Sequence, residues 1–191
     1  MRFDVVTLFP ELFAPLLVTG ITRRAFESGL VDVHLHNPRD FAQGNYRRVD
    51  DRPFGGGPGM VMMAEPLAQC LAQIQAQRQD VAPVVLFSPA GETLNHALVT
   101  QWASSAGAVL MCGRYEGIDQ RFIQAHVTHQ ISLGDFVLSG GEIVAMALLD
   151  ALEDPDALHL STLLCGAHRR TVIREVRRRL EAGEPCRLVS T

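Results

Sequence analysis

The sequence of 191 residues contains no lysine, so all 17 of its cationic side chains are arginine. Arginine forks match phosphate oxygens and guanine edges, which fits a protein that binds nucleic acid. A coding bias in a GC-rich genome explains the same absence equally well, and we favour that interpretation. No apolar run approaches the roughly 20 residues that a membrane-spanning helix needs, and we therefore expect no transmembrane segment.

Motifs for metal binding and for hydrolysis are missing as well. The four cysteines (Cys70, Cys112, Cys165 and Cys186) form no CxxC pair, and the seven histidines form no HExxH pattern. We therefore expect no metal site and no disulfide framework, but buried thiols in a reducing cytoplasm. The sequence has no Gly-x-Ser-x-Gly elbow and no Gly-Lys-Ser/Thr loop, which argues against a serine hydrolase and a Walker-type nucleotide site.

The charge is unevenly distributed along the chain. The formal net charge is −4. Residues 153–191 contain seven arginines and six acidic residues, a net of +1, which leaves −5 for residues 1–152. The acidic balance, taken alone, argues weakly against nucleic-acid binding. The N-terminal stretch carries Asp4 among apolar residues and has no small-residue cleavage site, so it predicts a first strand rather than a signal peptide.

Apolar spacing predicts strands that alternate with helices over the first 150 residues. The predicted strands are Val5–Leu8, Val31–His36, Val84–Phe87, Ala108–Cys112 and Val127–Ile131, and the predicted helices are Leu12–Phe26, Glu65–Gln77, Asn95–Ala103, Asp119–Gln124 and Glu142–Leu152. A polar, arginine-rich loop is expected over Asn37–Arg52. This alternation indicates an α/β fold with a parallel sheet and helices on both faces.

Three segments rich in glycine or serine follow consecutive predicted strands. They are Ser88–Gly91, Gly113–Gly117 and Ser132–Gly141. Ligands of parallel sheets bind beyond the carboxyl ends of the strands. We therefore expect the three segments to share one pocket.

The turn after the fourth predicted strand combines three reactive side-chain types. Arg114, Tyr115 and Glu116 lie between two glycines. The arginine guanidinium can donate paired hydrogen bonds, the tyrosine ring can stack on a base, and the glutamate carboxylate can accept hydrogen bonds. A carboxylate can accept from the N1–H and N2–H edge of guanine, and pairs of this kind discriminate bases by about 1–3 kcal/mol. The alternative is that Arg114 pairs on the surface with Glu116 or Asp119.

The segment Ser132–Glu142 has small residues on both sides of an apolar centre. Leu133, Val137 and Leu138 can wall an adenine, and two glycines open the following helix, whose amino end favours anionic groups. The Gly-x-Gly-x-x-Gly spacing of dinucleotide folds is absent. The segment predicts a ligand loop, and the residues alone do not name the ligand.

A glycine cluster fills the stretch Asp50–Met60, which reads DDRPFGGGPGM. Glycines let backbone amides approach a ligand closely, so a substrate phosphate could bind here with the help of Arg52. A tight structural loop explains the same residues equally well.

Six motifs in register carry a resemblance to a known family. They read VTLFPELF, NPRDF, VDDRPFGGGPGMVM, FSPAGETL, MCGRYEGIDQR and SLGDFVLSGGE. In this order and spacing the chain resembles the bacterial tRNA (guanine-N1)-methyltransferases from Met1 to about Leu152. The resemblance implies a domain over 1–152 with a SPOUT-type α/β fold and a C-terminal trefoil knot, a rare exception to the rule against threaded chains.

The resemblance also implies ligands and partners. The methyl donor would be S-adenosylmethionine, the substrate guanosine 37 beside the anticodon of a tRNA, and the assembly a cytoplasmic homodimer; whether magnesium assists is left open. The implied donor-binding residues are Ser88, Pro89, Gly113, Tyr115, Leu133, Gly134, Asp135, Phe136, Val137, Leu138, Gly140 and Gly141. The implied substrate-binding residues are Glu116, which would hold the flipped guanine, with Arg114, Asp50, Arg52 and Gly59.

Beyond Leu152 the family pattern stops. Residues 153–156 read Glu-Asp-Pro-Asp where the family has an arginine, and neither that arginine nor the family's catalytic aspartate is matched, so the general base is unassigned. Residues 153–191 predict a non-family tail with a basic helix, Arg169–Leu180, and a strand, Cys186–Val189; the stretch from residue 160 is similar to a piece of CRISPR-associated helicases. Two hypotheses follow: a methyltransferase of impaired activity, or a non-catalytic dimeric module that binds S-adenosylmethionine.

Overall fold

The computed structural model describes residues 1–20 and 22–152, and the tail predictions lie outside this range. Its strands and α-helices are β1 (Arg2–Val6), α1 (Ala14–Val18), α2 (Arg23–Glu27), β2 (Asp32–His36), β3 (Asp50–Asp51), β4 (Val61–Met62), α3 (Ala64–Gln77), β5 (Val84–Thr93), α4 (His96–Ala103), β6 (Gly107–Met111), α5 (Gln120–His126), β7 (His129–Ser132) and α6 (Glu142–Leu152). Short 3-10 helices cover Pro10–Phe13 and Pro38–Phe41. None of the described helices is long and apolar enough to cross a membrane.

Five strands form one sheet in the order β2-β1-β6-β5-β7, and every neighbouring pair is parallel. The predicted α/β class with a parallel sheet is therefore confirmed. Parallel neighbours require a crossover connection, and here the crossovers bring the carboxyl ends of all five strands to one edge. The short strands β3 and β4 pair separately as an antiparallel hairpin.

The sheet separates two apolar cores. Alternate residues of β1 face opposite sides, so Phe3 and Val5 enter one core and Val6 the other. Buried residues of α4 and α6 complete the first core, and those of α3 and α5 complete the second. The predicted cover of helices on both faces is confirmed by this arrangement.

The prediction of a single helix over Leu12–Phe26 is wrong. The chain forms the first 3-10 helix and α1, leaves the helical conformation at Thr19, and begins α2 only at Arg23. Gly20 follows the end of α1 with a φ of +72°, the left-handed conformation in which glycine commonly ends a helix. The apolar spacing continues across this break and therefore did not reveal it.

The turn predicted at Ser88–Gly91 lies inside a longer strand. β5 runs on to Thr93, and both Phe87 and Glu92 pair with Ile131 of β7. The four residues between them are thus an excursion within one strand. A β-carbon on Gly91 would lie 2.5 Å from backbone atoms of β7, so the absence of a side chain lets the two strands close again.

A buried charged cluster around the carboxylate of Asp4 lies on the α3 side of β1. Asp4 is fully buried, and its oxygens lie 2.6 Å from Arg78 Nη1, 2.8 Å from Arg2 Nη2 and 2.9 Å from His36 Nε2. Burial alone would raise the pKa of this carboxyl, but hydrogen bonds from His36, Arg2 and Arg78 outweigh it and hold the pKa well below its ordinary value.

The depressed pKa of Asp4 predicts a loss of stability in acid. A carboxyl whose pKa is lower in the folded state stabilises the protein above its unfolded pKa, here the ordinary 3.8, and this contribution disappears as the pH falls towards the folded pKa. Urea unfolding should therefore give a free energy that falls by up to about 1 kcal/mol for each pH unit below 3.8 on account of this group. The variant Asp4→Asn, less stable at pH 7, should lack this component, and Asp32→Asn, at an exposed site, should retain it.

Candidate functional site

The three expected segments line one cavity at the carboxyl edge of the sheet. Its volume is about 530 Å³, within the usual range for small-molecule sites. Ten of the twelve implied donor-binding residues line it: Ser88, Pro89, Gly113, Tyr115, Leu133, Phe136, Val137, Leu138, Gly140 and Gly141. Gly134 and Asp135 belong to the same segment but not to the lining.

Apolar side chains form much of the wall. Ile131 and Leu133 continue from β7 into the segment before α6, and Phe136 and Val137 stand at the rim, 54% and 80% exposed. Ser132 fixes the start of this segment, since its hydroxyl donates to the Gly134 carbonyl at 2.9 Å. The cavity wall therefore contains solvent-exposed apolar surface against which a flat or apolar part of a ligand can pack.

Glycines let two chain segments approach each other at the base of the cavity. The amide of Gly141 donates to the Gly113 carbonyl at 3.1 Å. A β-carbon on Gly141 would lie 2.8 Å from the α-carbon of Cys112, closer than real β-carbons come. The segment before α6 thus passes directly against the end of β6.

The turn after β6 meets the glycine cluster. Tyr115 adopts a φ of +57°, and its exposed side chain lines the cavity. The amide of Glu116 donates to the Met60 carbonyl at 2.9 Å, and Gly59 lies so close that a β-carbon there would meet the Glu116 carboxylate at 2.5 Å. Two implied substrate residues, Gly59 and Glu116, are therefore neighbours in space although they are far apart in sequence.

Asp50 and Arg52 lie away from this cavity. Asp50 pairs with Met62 in the β3–β4 hairpin, and Arg52 is exposed. Both residues belong to the glycine-cluster stretch that connects β3 with β4 and meets Glu116 at Gly59, but neither lines the cavity.

The partner of Arg114 is a residue that the sequence did not indicate. Its Nε lies 2.9 Å from Oε2 of Glu142, the buried first residue of α6. The pairing considered with Glu116 or Asp119 is wrong, because Asp119 caps α5 and binds Arg121 at 2.6 Å. Glu142 was not identified because nothing in its neighbourhood separates it from an ordinary helix-start acid.

Among the lining residues that the structure describes, Glu116 is the only carboxylate, and there is no histidine or cysteine. Cys70 and Cys112 are free and buried, as expected; burial raises the pKa of the Cys70 thiol to about 12. No cluster of metal-ligating side chains occurs in the described part of the chain.

The Aquifex aeolicus tRNA (m1G37) methyltransferase, a solved crystal structure, shares this architecture. It matches with a TM-score of 0.73 and 39% identity over 80% of this chain and 68% of its own. The curated tRNA (guanine-N(1)-)-methyltransferases of Albidiferax ferrireducens and a Polaromonas species are 81% and 73% identical over 152 and 157 residues. The chain spans 61% and 60% of the lengths of these two relatives.

The family model described as tRNA (Guanine-1)-methyltransferase TrmD matches residues 1–154. This range ends two residues beyond the point where the motif resemblance was expected to stop. With a parallel sheet, a cavity at its carboxyl edge and relatives of this identity, the chain belongs to the tRNA (guanine-N1)-methyltransferase family.

Proposed function

We propose that this chain transfers a methyl group from S-adenosylmethionine to N1 of guanosine 37 in the anticodon loop of a tRNA. The observation that carries the proposal is the single cavity lined by three glycine- or serine-bearing segments, with one carboxylate in its lining. The high sequence identity to tRNA (guanine-N(1)-)-methyltransferases supports the reaction type.

The lining suits the methyl donor. Leu133, Val137 and Leu138 would pack against the adenine ring. Gly140 and Gly141 also line the cavity, and the lack of a side chain at either position leaves the backbone there accessible to a ligand. When bound, S-adenosylmethionine supplies an electrophilic methyl group on a sulfonium. The protein's contribution to rate would then come chiefly from orienting donor and base for in-line approach.

Glu116 would hold the guanine. Its carboxylate would accept hydrogen bonds from the N1–H and N2–H edge, while Gly59, Asp50 and Arg52 would shape the surrounding loop. Guanine N1 carries a proton at neutral pH, so a general base must remove it. A base in a single-stranded loop is the easiest to extrude from its stack, which favours the anticodon loop as substrate.

We also infer the finer features that the family resemblance implies. The close passage of Gly141 against Cys112 supports a trefoil knot in which the segment before α6 threads past β6. Exposed apolar side chains at Leu12, Val18 and Ile143 support a homodimer, and action on tRNA would place the protein in the cytoplasm. Assays with and without magnesium would decide whether the ion assists.

The second candidate is a module that binds the donor without catalysis. It is favoured by one observation: Glu116, the residue assigned to hold the guanine, is the only carboxylate among those lining residues that belong to the described ranges 1–20 and 22–152. Within that part of the chain, no other lining group is suited to accept the N1 proton.

The 191-residue protein should bind S-adenosylmethionine in titration calorimetry with a dissociation constant in the roughly micromolar range typical of enzyme substrates. Labelled donor should then transfer methyl to a tRNA transcript carrying guanosine at position 37, and not to a matched transcript with adenosine there. Binding without transfer would favour the second candidate. A flat titration together with no thermal shift would refute the donor site and both candidates.

A further inference from the structure

Glu142 is a buried carboxylate at the start of α6. Only 1% of the residue is exposed, and its Oε1 accepts a hydrogen bond from the hydroxyl of Thr7 at 2.9 Å. Thr7 is itself fully buried at the end of β1 and accepts at the same hydroxyl from the Phe9 amide. The amino end of a helix favours a negative charge. Because the carboxylate of Glu142 is buried, it also needs a cationic partner.

Arg114 is that partner, and it is held from three sides. Its Nε lies 2.9 Å from Glu142 Oε2 at an angle that makes an ion pair but no hydrogen bond. Its Nη1 donates to the carbonyl of Ser139 at 3.3 Å, and its guanidinium carbon lies 4.7 Å from the centre of the Phe9 ring. The guanidinium therefore spans the ends of β1 and β6 and the segment before α6.

Gly140 makes this arrangement possible. A β-carbon there would lie 2.4 Å from Arg114 Nε and 2.6 Å from Glu142 Oε2. The ion pair thus packs directly on the backbone of a residue that lines the cavity, and Ser139, Gly140 and Gly141 are all fixed by it or by the adjacent bond to Gly113.

We propose that Glu142 is a positioning residue that acts through Arg114. By anchoring the guanidinium, it holds residues 139–141 in the conformation that receives the methyl donor. The inference rests on the proposed donor site. The proposal also changes the role expected for Arg114. Its Nε and Nη1 already face Glu142 and Ser139, so Arg114 supports the donor segment instead of contacting the guanine.

The test is donor affinity in Glu142→Gln, which keeps the size of the side chain and its contact with Thr7 but removes the charge. We expect about tenfold weaker binding of S-adenosylmethionine by calorimetry, since a released segment spends only a fraction of its time in the competent conformation. Glu27→Gln is the matched control, because Glu27 pairs with Arg23 on the surface outside the cavity lining. Ile74→Val in the other core should lower stability without changing affinity.

A double-mutant cycle separates positioning from general structural damage. If Glu142 acts through Arg114, the effect of Glu142→Gln on affinity should vanish in an Arg114→Gln background, whereas independent effects would multiply. Should Glu142→Gln fail to fold, Thr7→Val removes the supporting hydroxyl and should weaken binding about fivefold. The positioning role of Glu142 is overturned if a folded Glu142→Gln variant keeps its affinity for the donor, or if the effects of the two substitutions on affinity multiply. Either outcome leaves the proposed function standing. Absence of donor binding by the unaltered protein overturns the proposed function as well.

Discussion

Replacing Gly141 with alanine is expected to reduce the affinity for S-adenosylmethionine by up to about a hundredfold. The added β-carbon would lie 2.8 Å from the Cys112 α-carbon and 3.3 Å from the Gly113 amide nitrogen. Both are backbone atoms at the end of a buried strand, so the segment before α6 must move instead. Overpacking of this kind costs about 1–3 kcal/mol, and displacement of the segment would remove the bond to Gly113 and deform the cavity floor.

Calorimetry with the donor checks this expectation, and circular dichroism shows that the variant remains folded. The control is Gly44→Ala, a glycine with no atom within 4 Å of the added carbon and outside the cavity lining. It should bind the donor as tightly as the unaltered protein. A folded Gly141→Ala protein with normal affinity would show that the approach of this segment to β6 has no part in ligand binding.

Gly107→Ala should be the most damaging single substitution for stability among those considered. Gly107 begins β6 with a φ of +118°, and a β-carbon there would lie 1.7 Å from the carbonyl oxygen of Arg2. The two residues are register partners in the parallel pair β1–β6. Relief of the overlap therefore requires the two central strands to separate at their start, and we expect a loss of roughly 3–5 kcal/mol from overpacking and backbone strain together.

Urea unfolding followed by far-ultraviolet circular dichroism measures this loss. Gly44→Ala again provides the comparison, because its φ of +81° is also positive but the surrounding space is open. Backbone strain alone should cost it about 1–2 kcal/mol. Equal losses in the two variants would mean that the contact with Arg2 contributes nothing.

The strands β2, β5, β6 and β7 could be predicted to within two residues of their observed starts, because apolar residues recur there at strand spacing. The first strand was predicted at Val5–Leu8, but the structure begins it at Arg2 and ends it at Val6. The candidate ligand-binding edge of the sheet could be predicted because glycine- or serine-bearing segments follow three of the strands. The helix Glu142–Leu152 was predicted with its observed bounds, since two glycines precede a continuous apolar pattern. The break at Gly20 and the return of β5 after Gly91 were missed. Both depend on backbone conformations that a pattern of side-chain polarity does not record.

The charged interactions of the interior were also beyond the sequence. Asp4 was noticed as a charge among apolar residues, but its partner Arg78 is 74 positions away. Glu142 and Thr7 are separated by 135 positions. Pairs at such separations are fixed by strand order, which apolar spacing leaves undetermined. The motif resemblance located the cavity lining, but it could not show which lining residues are held by buried charge.

The order of strands has a consequence for synthesis on the ribosome. β1 lies between β2 and β6, and its pairing with β6 joins Arg2 to Gly107 and Val6 to Met111. Because β1 is made long before β6, its second edge stays open until the residues between the two strands have been synthesised. Contacts of such long range slow folding and leave a hydrogen-bonding edge open in the nascent polypeptide, so chaperone contact during translation should concentrate on the stretch made before β6 emerges.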